Sequence, residues 1–138
     1  MAAITITAAN VVASGADSVE KQETLGGTVT AGQPVYKTDG KVYALDVDST
    51  GSATTATAYG IAMAGGVADD IRPVLIGGTW DIGATVTKGA YLLGHPTAGS
   101  MTESIADLGT GDRATYIAYT NTTTSAIFKP VSTGDEVA

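Results

Sequence analysis

Short β-favouring runs separated by clusters of Gly, Asp, Thr and Ala cover most of the 138-residue chain. They lie near residues 27–30, 34–37, 41–45, 58–64, 71–76, 79–82, 90–93, 114–120 and 125–129. Helical periodicity is almost absent, and turn residues punctuate the runs at the intervals of a small sandwich or barrel. The pattern predicts an all-β fold, a small antiparallel β-barrel or sandwich. One segment, "DSVEKQETL" (17–25), has capping-box spacing between Asp17 and Glu20. It holds too few apolar positions for a stable helix and reads as part of an arm that orders on contact.

The stretch "TAGQPVYKTDGKVYALD" (30–46) fixes one pairing in detail. Asp39-Gly40 is a two-residue loop suited to a type I′ turn, in which both central residues need φ > 0. That loop sets Thr38 opposite Lys41, Lys37 opposite Val42, Tyr36 opposite Tyr43 and Val35 opposite Ala44. A three-residue loop would place Lys37 opposite Lys41, and facing like charges destabilise a strand pair. Pro34 opens its strand, where a missing N–H is tolerated.

A faint internal echo recurs 57 residues apart. Thr28-Val29-Thr30-Ala31-Gly32 returns as Thr85-Val86-Thr87-Lys88-Gly89, and Tyr59 returns as Tyr116. Ile71-Arg72-Pro73-Val74 meets Phe128-Lys129-Pro130-Val131. The clustering of the matches predicts two related β units. In "ATYIAYT", strict alternation puts Tyr116 on one face and Ile117 with Tyr119 on the other. That arrangement predicts a core on one side and a subunit contact on the other.

With one Trp, one Phe and six Tyr against 18 Gly, the core is lightly built. Small side chains bury little area at roughly 25 cal/mol per Å², so oligomerisation is expected to supply part of the stability. The net charge is −7, and the seven basic residues are spread along the chain. Nucleic-acid binding needs a basic stripe and is not expected. The absence of Cys removes disulfide and thiolate chemistry. The first residues lack a signal-peptide pattern and no run approaches a membrane span, so a soluble protein without a membrane partner is expected.

No catalytic, metal or cofactor site assembles from the sequence. His95 lies in a Gly/Pro-bounded turn, with no nucleophile frame and no second ligand at usable spacing. "DVDSTG" (46–51) resembles the opening of a calcium loop, but Thr50 and Thr57 stand where acidic ligands are required. Asp69-Asp70 and Asp135-Glu136 read as turn or tail residues, since neighbours on a strand point to opposite faces. The doubled glycines Gly26-Gly27, Gly65-Gly66 and Gly77-Gly78 lack the Lys-Ser/Thr of a phosphate loop. Asn121-Thr122-Thr123 is a formal glycosylation sequon without a secretory context. Trp80 reads first as a core anchor and second as a sugar-stacking platform.

The N-terminal residues 1–25 form a separate expectation, an arm preceding a single β domain at 26–138. Ile4 and Ile6 share one face of an extended strand, and with Val11 and Val12 they are the candidate partner-contact residues. Such a strand can add to a sheet edge on a partner, or be the first strand of the domain itself.

The order of pieces is distinctive as a series. "GGTVTAGQPVYKTDGKVYALDVDSTGS", then "AYGIAMAGG", then "TVTKGAYLLGHPTAGSMTESIADLGTGDRATYIAYT" resembles the small head decoration, or capsid cement, proteins of tailed bacteriophages. An AGxxVY strand enters a DG turn, a GIA strand follows, and a G-x-x-Y-x-L strand leads through an AG turn to a short acidic stretch and a final strand. The match runs from Gly26 to Thr120. The resemblance implies a compact β domain that trimerises on the capsid exterior, where subunits of the major capsid protein meet, after synthesis in the host cytoplasm. It implies no enzyme activity and no cofactor. The rival reading is a carbohydrate-binding β module used for adhesion on a virion or cell surface; a small hydrolase lacks an assembled nucleophile and base.

Overall fold

The computed structural model describes residues 3–136, with side chains for all of these except 132–135. In chain order its strands are β1 (Val12–Ala13), β2 (Val19–Leu25), β3 (Pro34–Thr38), β4 (Lys41–Ala44), β5 (Gly60–Ala62) and β6 (Ile71–Asp81). They continue as β7 (Tyr91–Gly94), β8 (Met101–Thr102), β9 (Arg113–Thr120) and β10 (Ser125–Glu136). The helical elements among the described residues are two three-residue 3-10 turns, Ala8–Asn10 and Ile105–Asp107. The fold is all-β, and no helix is long and apolar enough to cross a membrane.

The Asp39-Gly40 hairpin forms in the predicted register, Thr38 to Lys41 through Val35 to Ala44. Asp39 (φ 52°) and Gly40 (φ 78°) both lie in the left-handed region. The Tyr36 and Tyr43 rings stack across it at 5.3 Å between centroids. A Cβ at Gly40 would meet nothing within 4 Å. Gly40→Val should therefore cost only backbone strain, roughly 1–2 kcal/mol, and Gly40→Asn should restore most of it in a thermal melt.

The strands divide into two units that share β6. β2, β4, β3, β5 and the first half of β6 pair in that order, and β2 also pairs with β6, so the five close into a ring. The β2–β4 pairing is parallel and the remainder antiparallel, which makes the expected antiparallel sheet a mixed one. Inside the ring sit Leu25, Val29, Val35, Val42, Ala62 and Val74. The second half of β6 pairs with β10, and β9, β7 and β8 extend that sheet. Its inner face joins the larger core, around fully buried Trp80, Ile82, Leu92, Met101 and Ile117.

The transfer happens at the doubled glycine. Gly77 faces Val19 of β2, and Gly78 faces Phe128 of β10. Gly78 has φ +85°, and a Cβ there would stand 2.2 Å from the Asp17 carbonyl oxygen. The runs expected at 71–76 and 79–82 are thus a single kinked strand.

The pairing scheme is duplicated. The pairs β3–β4, β3–β5, β5–β6 and β2–β6 recur as β7–β8, β7–β9, β9–β10 and β6–β10. The two registers part in the final strand. Ile61 faces Leu75, whereas Ala118, its counterpart 57 residues on, faces Phe128 rather than Ser132. The Ile71–Val74 echo in β10 is therefore out of step with the pairing, and a register shift follows Phe128.

Two local expectations need correction, and a third, left open between two readings, takes one of them in this structure. Residues 27–30 form no strand; Val29 makes one isolated bridge to Gly66. "VEKQETL" is neither helical nor free but the strand β2, running along β6 from Val19–Gly77 to Thr24–Ile71. Asp17 accepts a hydrogen bond from the Thr79 backbone N–H at 3.2 Å, an inter-element contact in place of a helix cap. The segment read as an arm or as the first strand of the domain, residues 1–25, lies from Ile4 onward against the domain in this structure. Ile4 N–H donates to Met101 O and Thr7 N–H to Gly83 O, both at 2.8 Å, and β1 pairs with β6. The physical reason is an open edge: the second half of β6 has β10 on one side only, and the apolar residues of the segment fill the other.

Candidate functional site

An exposed feature is produced by a bulge in β9. Leu92 faces Ala118 and Leu93 faces Tyr116, so Ile117 is an extra residue on that strand. Ile117 and Ala118 are both buried in consequence. Tyr116 and Tyr119 then emerge together, each edge-on to Tyr91, with centroids 5.9 and 5.3 Å away. Strict alternation had put Ile117 beside Tyr119 and opposite Tyr116; the inserted residue reverses that. Tyr91 and Val131 are each 57% exposed. With Tyr116 and Lys129 they line an open depression of about 310 Å³. An exposed aromatic and aliphatic patch of this kind suits association with another surface.

A second cluster sits at one end of the ring. Glu23 points inward from β2 and is only 5% exposed. Its carboxylate accepts from Lys37 Nζ at 3.0 Å and from the Tyr59 hydroxyl. Lys37 Nζ also lies 5.0 Å from the centre of the Tyr59 ring. Burial pushes the Glu23 carboxyl up, but the Tyr59 and Lys37 hydrogen bonds and the Lys37 charge outweigh it and hold it below its ordinary 4.5. Burial and the Glu23 hydrogen bond raise the Tyr59 phenol, and the Glu23 hydrogen bond raises Lys37. The arrangement ties β2 to β3 and to the chain entering β5; it presents no nucleophile. Because the folded-state Glu23 pKa is depressed, its contribution is present above the unfolded value and is lost as pH falls through the folded one. Denaturant midpoints should therefore drop more steeply below about pH 4.5 in the native protein than in Glu23→Gln. Parallel acid limbs would show that Glu23 carries no such linkage.

The groups singled out in the sequence are engaged locally rather than gathered into a site. His95 Nδ1 accepts from the Thr97 backbone N–H at 3.0 Å. Asp48 Oδ1 accepts from the Thr50 N–H and hydroxyl at 2.9 and 2.5 Å, and Asp46 Oδ1 accepts from the Asp48 N–H at 3.2 Å. Asp69 pairs with Lys41 at 2.9 Å and Asp70 with Arg72 at 3.3 Å. Asn121 Oδ1 accepts from the Ser125 hydroxyl at 2.8 Å. Among the described residues, no group of three or more His, Cys, Asp or Glu could hold a metal ion. Of the Asp135-Glu136 pair, the Asp135 side chain lies outside the described residues, and Glu136 pairs with Arg113 at 3.1 Å. Trp80 has no exposed surface, which removes it as a sugar-stacking platform.

The four partner-contact candidates divide. Ile4 and Ile6 pack partly buried against the main core, and Val11 is buried within it. Val12 is 52% exposed and is the member of the set open to a partner in this arrangement. Sequence reasoning missed Glu23 because a carboxylate on an inward strand position breaks the apolar alternation used to find strands. It missed the tyrosine face because the bulge has no sequence signal of its own.

A scan against protein-family models matches no family, and a search of curated proteins returns no significant match.

Proposed function

We propose that the chain is a structural protein of a tailed-bacteriophage virion, decorating and stabilising the outside of the head as a homotrimer bound where subunits of the major capsid protein meet. The observation that carries this reading is the ordered motif series from Gly26 to Thr120 and its resemblance to the capsid cement proteins. Further support comes from the all-β fold and the tyrosine face, on which exposed Tyr91 packs against half-buried Tyr116 and Tyr119; it gives an association surface to a chain with a light core. An acidic surface keeps a repeated virion protein soluble at high local concentration. We read it as a non-enzymatic protein without cofactor, because the titratable candidates are committed to turns and strand ties. The carbohydrate-binding alternative loses its candidate stacking platform with Trp80 buried.

The test is co-sedimentation with shells assembled from the major capsid protein encoded beside it, together with light scattering of the free protein. The expected result is saturable binding and a mass near three times 13.8 kDa. A monomer at high micromolar concentration that leaves the shells bare would overturn the reading.

A further inference from the structure

The second sheet has an outer face as well as an inner one. The cross-strand row Ala13, Trp80, Ala126 and Thr120 turns its side chains inward to the main core. The rows flanking it turn outward, because successive side chains alternate along a strand. One flanking row is Thr79, Ile127, Tyr119 and Tyr91, crossing β6, β10, β9 and β7. The other opens with Val12 and Asp81. Further along β10, Lys129 and Val131 continue the same face beside Tyr116. Val12, Ile127, the three tyrosines and Val131 therefore share one outer face, and of these Val12, Tyr91 and Val131 are more than half exposed.

The two ends of this face differ in charge. At the β1–β6 end stands Asp81, and Asp17, hydrogen-bonded to Thr79, adds a second negative charge. Beyond Phe128 the one charge beside the tyrosines is Lys129. Lys37, Lys41, Arg72 and Arg113 each hold a carboxylate partner, whereas neither Lys129 nor Asp81 is ion-paired among the described residues. Asp81 faces Ser125, four residues before Lys129 on β10. At about 3.3 Å per residue, the two charges are separated by roughly 13 Å along the strand, too far to meet within one chain. An apolar face with opposite unpaired charges at its ends is complementary to a second copy of itself.

Resting on the trimeric reading above, we propose that this face is the subunit contact, with the Tyr91, Lys129 and Val131 end of one protomer set against the Val12 and Asp81 end of the next. A heterologous contact of this kind uses each end of every copy once and closes into a ring. Lys129 of one protomer meets Asp81 of its neighbour, while the tyrosines and Val131 cover Val12. Removing the apolar residues from water supplies the attraction, and the charges decide which ends meet. With a net charge of −7, copies repel one another, and pairing Lys129 with Asp81 turns part of that repulsion into attraction.

Both charged side chains lie at the surface without ion-pair partners, so reversing either one leaves the fold in place. Lys129→Glu, Asp81→Lys and the double variant Lys129→Glu/Asp81→Lys are compared with the native protein by light scattering over a dilution series. Low salt is used, because salt screens exposed charges. The expected result is that each single variant needs at least about tenfold more protein to reach a mass near three times 13.8 kDa, while the double variant recovers the native profile. Should a reversal disturb the fold by circular dichroism, Tyr91→Ser takes its place, with the same loss of trimer expected. Folded variants that trimerise like the native protein overturn this contact and leave the trimeric reading intact. Variants that stay trimeric but no longer co-sediment with capsid shells also overturn it, since the face then belongs to the capsid. Weakened single variants without recovery in the double overturn the meeting of Lys129 with Asp81. A native protein that is monomeric throughout overturns the contact and the trimeric reading together.

Discussion

Gly78→Ala should lower the melting temperature by about 10 °C, while Gly77→Ala stays close to the native protein. The adjacent glycines look equivalent in sequence, and the backbone separates them. A Cβ at Gly77 meets only Val19 carbons, at 3.9 and 4.0 Å, which is ordinary contact. At Gly78 the left-handed φ costs an alanine roughly 1–2 kcal/mol. Its Cβ would also stand 2.2 Å from a main-chain oxygen of Asp17, which no side-chain rotation relieves. Moving that oxygen strains the Asp17 and Ser18 contacts to Thr79, including the Ser18 hydroxyl bond to Thr79 O at 2.5 Å. The combined penalty is about 3 kcal/mol, and a domain of this size loses several degrees per kcal/mol. Equal melting temperatures for the two variants would show that the strand is not kinked at this glycine.

Val11→Asp should have an effect of similar size and Val12→Asp almost none on folding. Val11 is 8% exposed within the main core and Val12 is 52% exposed, one residue further on. A carboxylate at Val11 forfeits the roughly 1.5–3 kcal/mol of a buried aliphatic side chain and must also stay charged among apolar neighbours or leave. Leaving means that residues 4–13 come away from β6 and β8, exposing the strand that carries Trp80. A red shift of Trp80 emission should accompany the fall in melting temperature. If Val11→Asp melts like the native protein with unchanged emission, the segment is detached in the free protein and its contacts belong elsewhere. If Val12→Asp leaves the melt intact but abolishes assembly, Val12 is a subunit or capsid contact.

How much of this could be read from the chain depended on whether the governing contacts were local. The β3–β4 hairpin was legible to the residue because Asp39-Gly40 selects its own turn and the lysines exclude the competing register. The repeat was legible as an echo, since turn residues at matching spacing impose matching hairpins. β2 was hidden. Its outward residues are charged, and its one buried carboxylate is acceptable only because Lys37 and Tyr59, 14 and 36 residues away, reach it. The N-terminal segment was left open between two readings for a related reason. Ile4, Ile6 and Val11 looked unpartnered because their partners are edges left open by strands near residues 80 and 101. The tyrosine face was obscured by a single inserted residue, Ile117, which the burial of two consecutive side chains reveals and alternation cannot.

The shared strand has a mechanical consequence. Two units joined by a flexible linker can move or shear across the non-covalent interface between them. Here β6 is the last strand of one unit and the first of the other, so tension applied to the ring reaches the second sheet along a continuous peptide backbone. The halves cannot slide apart or be parted by cleaving a linker. Separating them requires pulling β6 out of one ladder or the other, and the joint is therefore as strong as the weaker of those ladders.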